Sequence, residues 1–215
     1  MSDDLGQHLR HLGDELRALA TLGLHYGDDK PHDRDRYEHT LDIAAELFAI
    51  ADERPAAEIR KTVFQEITHI APVAVGDAAV FDDNGRILLI QRADDGLWAM
   101  PGGAFDVGET PAEGAVRETR EEAGVDIEVL DLIGVYDSRL VGTQYPLQLY
   151  MFVFHCKYLG DRPEGPSTPH EVLDVRWFSI DQPLPPLSAG HERRIPDAIA
   201  FHRRPGKALF DRPEV

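Results

Sequence analysis

Three glutamates on one short stretch of the chain have the residue type and the spacing of a divalent-cation site. Glu118, Glu121 and Glu122 stand at positions i, i+3 and i+4, and a rotation of about 100° per residue places them on one flank of a helix. Like charges at these spacings weaken a bare helix slightly. A bound cation reverses that effect, and hard carboxylate oxygens suit Mg²⁺ or Mn²⁺. The plainer interpretation is a solvated acidic face, which is common on helices.

The helix that would carry these glutamates has clear ends in the sequence. Thr110 is a plausible N-cap, Pro111 stands at the first helical position, and Glu113 completes a capping box. Gly124 follows the last periodic residue, where a left-handed C-terminal cap favours glycine. An apolar stripe at helical spacing runs between these ends and comprises Ala112, Ala115, Val116, Thr119 and Ala123. The sequence therefore predicts a helix from Thr110 to Gly124 with its acids beside a buried stripe.

Residues 103–125 as a whole, which follow a Pro-Gly-Gly turn, form a longer pattern. They resemble the signature of the Nudix hydrolases, Gly-x5-Glu-x7-Arg-Glu-U-x-Glu-Glu-x-Gly-U, in which U is a bulky aliphatic residue. The fixed positions are filled by Gly103, Glu109, Arg117, Glu118, Glu121, Glu122, Gly124 and Val125. Thr119 departs from the pattern at the first U, where it keeps β-branched bulk and adds a hydroxyl. We expect this change to leave the chemistry intact.

The resemblance implies water attack on a pyrophosphate linkage, assisted by Mg²⁺ or Mn²⁺. It implies that Glu118, Glu121 and Glu122 are metal ligands, together with the backbone carbonyl of Gly102 just before the signature. It also implies that Arg117 and Glu109 contribute to catalysis by orienting the acidic cluster.

The general base stays open between two carboxylates. Glu121 is the candidate on the helix. Glu171 is the candidate on a later loop, because it precedes residues 175–178, Val-Arg-Trp-Phe, which look like the family's late Trp-Phe strand.

Substrate contacts are harder to predict from the sequence. Arg92 ends a predicted strand, and its planar fork of donors suits a phosphate. Trp98 and Tyr145 are candidates for stacking on a nucleobase. The plainer interpretations are a solvated strand-end charge for Arg92 and core or turn packing for the two aromatic residues.

Composition limits the classes of partner. The chain has 215 residues, 39 Asp plus Glu against 22 Lys plus Arg, and a net charge of −17. This balance disfavours nucleic acids and anionic membranes as partners, because both bind basic surfaces. Cys156 is the single cysteine, and the sequence shows neither a signal peptide nor a run of about 18 apolar residues. We therefore expect a cytoplasmic protein with a small-molecule nucleotide substrate.

Periodicity divides the chain into a helical front, residues 1–67, and a catalytic part, residues 68–215. The front carries a leucine seam with steps of four and three at Leu5, Leu9, Leu12, Leu16 and Leu19. This seam predicts a homodimer. Strands are predicted at 73–81, 87–92, 127–135, 147–158 and 172–178, and a last helix at 196–203. Pattern alone favours a mixed sheet with helices; the resemblance implies the α/β class, as a Nudix α/β/α sandwich with a small N-terminal all-helical domain.

The helical front carries a second set of residues with a family resemblance: Leu16, Leu19, Gly23, Leu24, Tyr26, Asp33, Arg36, Tyr37 and Leu41. Through them it is similar to the N-terminal domain of a bacterial Nudix subgroup that acts on nucleoside diphosphates linked to another moiety, CDP-choline among them. We therefore expect hydrolysis to a nucleoside monophosphate and a phosphorylated second product. ADP-ribose pyrophosphatase is the alternative, although Val141 stands where ADP-ribose members of the family commonly have a proline. A (d)NTP pyrophosphatase and a non-catalytic nucleotide sensor are less favoured, because the front is present and every acidic position of the signature is intact.

Overall fold

The computed structural model describes residues 3–26, 30–52, 54–61, 72–142, 148–160 and 170–212. Contacts divide the chain into two compact units, Met1–Ala71 and Pro72–Val215. The predicted boundary after residue 67 falls outside the described residues.

The N-terminal unit is helical, as predicted. It comprises α1 (Asp3–Tyr26), α2 (Pro31–Asp52) and the short α3 (Ala56–Lys61). Glycines allow α1 and α2 to approach closely: a Cβ on Gly23 would overlap the ring of Tyr37, and one on Gly13 would come within 2.9 Å of Phe48. The buried core of this unit consists of Ala20, Leu41, Ala44, Ala45 and Ile59.

The leucine seam of α1 does not form this core as a whole. Leu16 packs against the core, whereas Leu5 and Leu19 are 48% and 65% exposed. The face of α1 that contacts α2 instead uses small residues, so the exposed leucines remain available to a second surface.

The C-terminal unit is built on one mixed sheet. Its strands are β1 (Val73–Phe81), β2 (Arg86–Arg92), β3 (Trp98–Ala99), β4 (Gly102–Ala104), β5 (Ile127–Asp137), β6 (Leu149–Tyr158), β7 (Val172–Ser179) and β8 (Leu209–Phe210). The order is β3-β2-β1-β6-β5-β8, with β4 paired to β1 and β7 paired to β2. The β1–β6 and β5–β8 pairs are parallel, and the other pairs are antiparallel.

Two helices, α4 (Pro111–Ala123) and α5 (His191–Arg203), supply apolar side chains to two separate cores. Alternate residues of β1 belong to different cores: Ala78 and Val80 lie in the core of α4, and Ala79 and Phe81 lie in the core of α5. Successive strand side chains point to opposite faces of a sheet. The two cores therefore cover opposite faces, and the predicted α/β sandwich is confirmed.

The last helix differs from its prediction. The sequence predicts a helix at 196–203. The helix in fact begins at His191 and has Pro196 in its interior. Burial of Ile195, Ala198 and Phe201 against the sheet holds the helix together across the proline, which illustrates how tertiary packing overrides a local signal.

Among the described residues, no helix is long and apolar enough to cross a membrane. Cys156 is buried on β6, and burial raises the pKa of its thiol.

Candidate active site

Helix α4 has the ends that its sequence predicts. The Thr110 side chain accepts a hydrogen bond from the Glu113 amide, and the Glu113 side chain accepts one from the Thr110 amide. Gly124 has a left-handed backbone, and its N–H donates to Arg120 O at 3.0 Å. These caps satisfy backbone groups that the helix itself leaves unpaired.

The apolar stripe of α4 fixes the orientation of the helix. Ala115, Thr119 and Ala123 are fully buried, and Ala115 and Ala123 belong to the α4 core. The Thr119 hydroxyl donates to Ala115 O at 2.7 Å, so the group that departs from the Nudix signature is satisfied within the helix. The acids on the neighbouring flank consequently face the β4 strand.

Two of these acids lie directly against the backbone of β4. Glu122 Oε2 accepts a hydrogen bond from the Gly102 N–H at 2.7 Å. A Cβ on Gly103 would come within 2.6 Å of Glu118 Oε1. On the other side, a Cβ on Gly102 would overlap the Gly76 carbonyl of β1. Both glycines are therefore required for the acidic helix and β1 to approach the same stretch of chain.

Arg117 holds the cluster in place. Its Nε and Nη2 donate to the two carboxylate oxygens of Glu109 at 3.1 and 2.7 Å, and Nη2 also donates to Ala104 O at 3.0 Å. Its Nη1 donates to Glu118 Oε1 at 2.9 Å. These bonds with Arg117 are the main reason that the pKa of Glu109 is lowered. The orienting role that we expected for Arg117 and Glu109 is consistent with this geometry.

The electrostatics of the cluster suit a bound cation. Burial raises the pKa of Glu122 to about 8, and the neighbouring charges of Glu118 and Glu171 add to that effect. Burial also raises the pKa of Glu118, against the opposing influence of Arg117. Partly buried carboxylates this close together are stabilised in their charged form by a divalent ion.

The donor chemistry therefore fits Mg²⁺ or Mn²⁺. Within the described residues, however, no three acidic, His or Cys side chains converge with the geometry of a metal site. Glu118 accepts from Arg117 through Oε1, and Glu122 accepts from the Gly102 amide through Oε2. Each bond engages one oxygen of its carboxylate, and an ionised carboxylate has a second oxygen that can bind a cation.

The two candidate bases lie on different elements. Glu121 Oε2 is 3.5 Å from Arg117 Nη1, and its side chain is 47% exposed. Glu171 lies in the turn immediately before β7, where its carbonyl accepts from the Ala93 N–H at 2.8 Å. The charge of Glu171 acts on Glu122, so this loop carboxylate belongs to the surroundings of the acidic cluster.

The predicted substrate contacts are distributed unevenly. The Arg92 guanidinium forms a two-point pair with Asp94, at 3.0 and 2.6 Å, while its charge also acts on Glu122. The Trp98 side chain is 8% exposed and packs edge-on against Phe178 at 4.8 Å. Tyr145 lies outside the described residues. Nucleobase stacking by Trp98 or Tyr145 thus stays a prediction.

Sequence reasoning missed a buried polar group behind β4. Asp77 on β1 and Arg194 on α5 form an ion pair in which both residues are buried, 7% and 3% exposed. His191, also on α5, has its Nδ1 3.5 Å from the Met100 N–H. A signal was present, because a charged residue in the middle of an otherwise apolar strand implies a buried partner.

Comparison with known proteins assigns the class. The model of the NUDIX domain matches residues 71–198, and the model described as a UDP-X-like, N-terminal oligomerisation domain matches residues 7–63. Since the first match covers more than half of the chain and its signature acids occupy the site described above, the protein belongs to the Nudix hydrolase family.

Individual relatives match either most of the chain or a shorter part of it. A Bacillus subtilis (strain 168) protein named "Putative ADP-ribose pyrophosphatase YjhB" is 34% identical over 202 residues, which cover 91% of this chain and 93% of that protein. An ADP-ribose pyrophosphatase of Methanocaldococcus jannaschii is 41% identical over 136 residues, covering 62% and 76% of the two chains. The crystal structure of a UDP-X diphosphatase is similar at 26% identity and a TM-score of 0.59, covering 98% of this chain and 99% of that one.

Proposed function

We propose that the protein is a divalent-metal-dependent pyrophosphohydrolase of a nucleoside diphosphate linked to another moiety. The products would be a nucleoside monophosphate and the phosphorylated second moiety. The observation that carries this proposal is the approach of Glu118 and Glu122 to the Gly102–Gly103 backbone, with Glu118 oriented by the Arg117–Glu109 pair.

The chain's own residues have distinct parts in this reaction. Glu118, Glu121, Glu122 and the Gly102 carbonyl would hold Mg²⁺ or Mn²⁺, and Arg117 with Glu109 would keep Glu118 in place. The bound ion supplies neutralisation of phosphate charge and a lowered pKa for water. A water oxygen attacks one phosphorus, the bridging P–O bond breaks, and the attacking water gives its proton to a carboxylate.

Glu171 is the base that we favour, with Glu121 as the alternative. Glu121 Oε2 lies 3.5 Å from Arg117 Nη1, and Glu121 is also one of the proposed metal ligands, so its carboxylate already has a part in the site. Glu171 is exposed, and its backbone is fixed to Ala93 beside the cluster. Glu171→Gln is expected to lower kcat at least a hundredfold with unchanged Mn²⁺ affinity, whereas Glu121→Gln, which alters a proposed metal ligand, would weaken Mn²⁺ binding. The reverse pattern would assign the base to Glu121.

CDP-choline and ADP-ribose are the two substrates to compare. The helical front led us to CDP-choline, but the Bacillus subtilis relative named for ADP-ribose is aligned over 91% of this chain. The front therefore does not discriminate between the two substrates. The name of the UDP-X diphosphatase favours only the broader class, in which the second moiety varies.

Product analysis by chromatography tests the proposal directly. The purified protein with Mg²⁺ or Mn²⁺ is incubated with CDP-choline, ADP-ribose, a UDP-sugar and dNTPs. Glu122→Gln removes one acid of the cluster, and Glu128→Gln, an exposed glutamate on β5, is the matched control. CMP plus phosphocholine, or AMP plus ribose phosphate, formed by the control but not by Glu122→Gln, would support the proposal. Turnover of dNTPs alone would reject the substrate class, and nucleotide binding without turnover would favour a sensor.

We also propose that the protein is a homodimer that associates through its N-terminal unit. The match to an oligomerisation domain over residues 7–63 supports self-association. The exposed Leu5 and Leu19 lie two heptads apart on α1, on a face that α2 leaves uncovered. Burial of this face by a second copy is the association that we propose.

A further inference from the structure

Strand β3 and the turn that follows it are contacted by one continuous segment, residues 186–194. The Trp98 N–H of β3 donates to Pro186 O at 3.1 Å, and the Ser188 N–H donates to Trp98 O at 2.8 Å. The Ser188 hydroxyl donates to Asp95 Oδ2 at 2.6 Å. The segment thus runs alongside β3 and enters α5 next to the turn that leads to Gly102.

The first turns of α5 then place two side chains behind that turn. His191, 4% exposed, lies with its Nδ1 3.5 Å from the Met100 N–H. Arg194 donates through Nε to Gly190 O at 3.0 Å and forms an ion pair through Nη1 with Asp77.

Asp77 carries this support to β4 itself. In the sheet register Asp77 faces Gly102, and the next residue, Ala78, donates its N–H to Pro101 O at 2.9 Å. The same Gly102 donates its own N–H to Glu122. The Gly102 peptide is therefore held between the acidic helix and the Asp77 position of β1.

Stability alone is a poor reason for this arrangement. Asp77 and Arg194 lose their hydration beside a cluster of buried apolar residues, and apolar residues of similar volume often replace a buried ion pair without loss of stability. Apolar residues would not reproduce the fixed geometry of these polar contacts. The two charged side chains fix the distance from α5 to β1, and an acceptor near the Met100 N–H fixes the turn that leads to Gly102.

We infer that His191, Arg194 and Asp77 are positioning residues that hold the Gly102 peptide in place for metal binding. In the described part of the chain their side chains bond to one another and to backbone groups rather than to the acids of α4, so they act through the backbone from Met100 to Gly102. This inference rests on the proposed function, since the Gly102 carbonyl is one of the ligands proposed there.

The test is Mn²⁺ affinity without substrate, measured by electron paramagnetic resonance on the full chain. The main variant is Asp77→Leu with Arg194→Met, which removes both charges together and leaves neither unpaired. The matched control is Ile195→Val, a fully buried neighbour on α5 with an apolar side chain. Chemical denaturation of each variant is measured in parallel, so that an effect on folding is separated from an effect on the site.

We expect the double variant to fold and to bind Mn²⁺ more than threefold more weakly than the parent, while the control stays within threefold. The amides of Met100 and Gly102 should also exchange hydrogen faster in the double variant. Should the double variant fail to fold, the Mn²⁺ affinity of His191→Leu is measured instead. A loss of more than threefold supports the inference, and a smaller loss overturns it.

A folded double variant with Mn²⁺ affinity within threefold of the parent overturns the inference and makes the ion pair a structural element only. A parent protein that binds no Mn²⁺ overturns the proposed function, and this inference with it. The two failures are thus distinguishable.

Discussion

The substitution Gly103→Ala is expected to displace the Glu118 carboxylate with little effect on the stability of the fold. The new Cβ would lie 2.6, 2.7 and 2.9 Å from Oε1, Cδ and Oε2 of Glu118. Ordinary contacts begin at about 3.5 Å, so the carboxylate must retreat by about 1 Å. A displacement of that size in a catalytic constellation costs about a hundredfold in rate, or about 2.7 kcal/mol of transition-state stabilisation.

The expected loss of stability is small. Glu118 can move its flexible end, and the main contact that it gives up is the partly exposed hydrogen bond with Arg117 at 2.9 Å. Such a pair contributes up to about 1 kcal/mol. Gly102→Ala behaves differently, because its Cβ meets the backbone of Gly76. We expect that variant to lose about 1–3 kcal/mol of stability together with its activity.

The assay is kcat/KM for the substrate that product analysis identifies, together with urea denaturation. Gly206→Ala is the control, because a Cβ there meets nothing within 4 Å. If Gly103→Ala kept kcat/KM within threefold of the parent, Glu118 would have no role that depends on its contact with β4, and our reasoning about the site would be refuted.

Three further predictions concern Arg117, the buried His191 and the exposed face of α1. Arg117→Lys keeps the charge but loses the two-point contact with Glu109. In steady-state assays we expect its kcat to be about tenfold lower than that of the parent, but higher than that of Arg117→Ala. Equal loss of kcat in the two variants would show that only the arginine geometry matters. Burial lowers the pKa of His191 to about 3, below its ordinary value of about 6.5. The free energy of unfolding should therefore have its full value above about pH 6.5. As the pH drops towards the lowered pKa, it should fall by up to about 1.4 kcal/mol per pH unit. Urea denaturation from pH 7 to pH 4 measures this slope, and an unchanged slope in His191→Leu would show that other groups cause it. Leu19→Glu places a charge on the exposed face of α1 and should convert the proposed dimer to a monomer in light scattering. Thr21 is also exposed, and Thr21→Glu is the control. The same conversion in this control would point to a general effect of charge.

The parts of the site that sequence predicted are those with local causes. The ends of α4 follow from Thr110, Glu113 and Gly124, each of which acts within four residues of itself. The contact of Arg117 with Glu109 likewise spans one loop and two turns of helix.

The parts that sequence did not predict depend on distant segments. Arg194 and Asp77 lie 117 positions apart, and no periodicity links them. The burial of Trp98 is decided by Phe178 on β7 and by the segment around Pro186, neither of which is close in the sequence. Arg92 is an intermediate case, because its partner Asp94 is only two residues away and an acid so near could have been weighed as a competitor for the guanidinium.

The late position of α5 in the chain has a consequence for the order of assembly. During synthesis the amino-terminal part of a chain is free to fold first, so α4 and β1 can meet before residues 191–203 have been made. Until then Asp77 has no Arg194 guanidinium beside it, so the Asp77 carboxylate on β1 is more stable in water than in a core. The nascent protein can therefore form the acidic helix α4 early, whereas the Gly102 peptide is held in place only after α5 has been made.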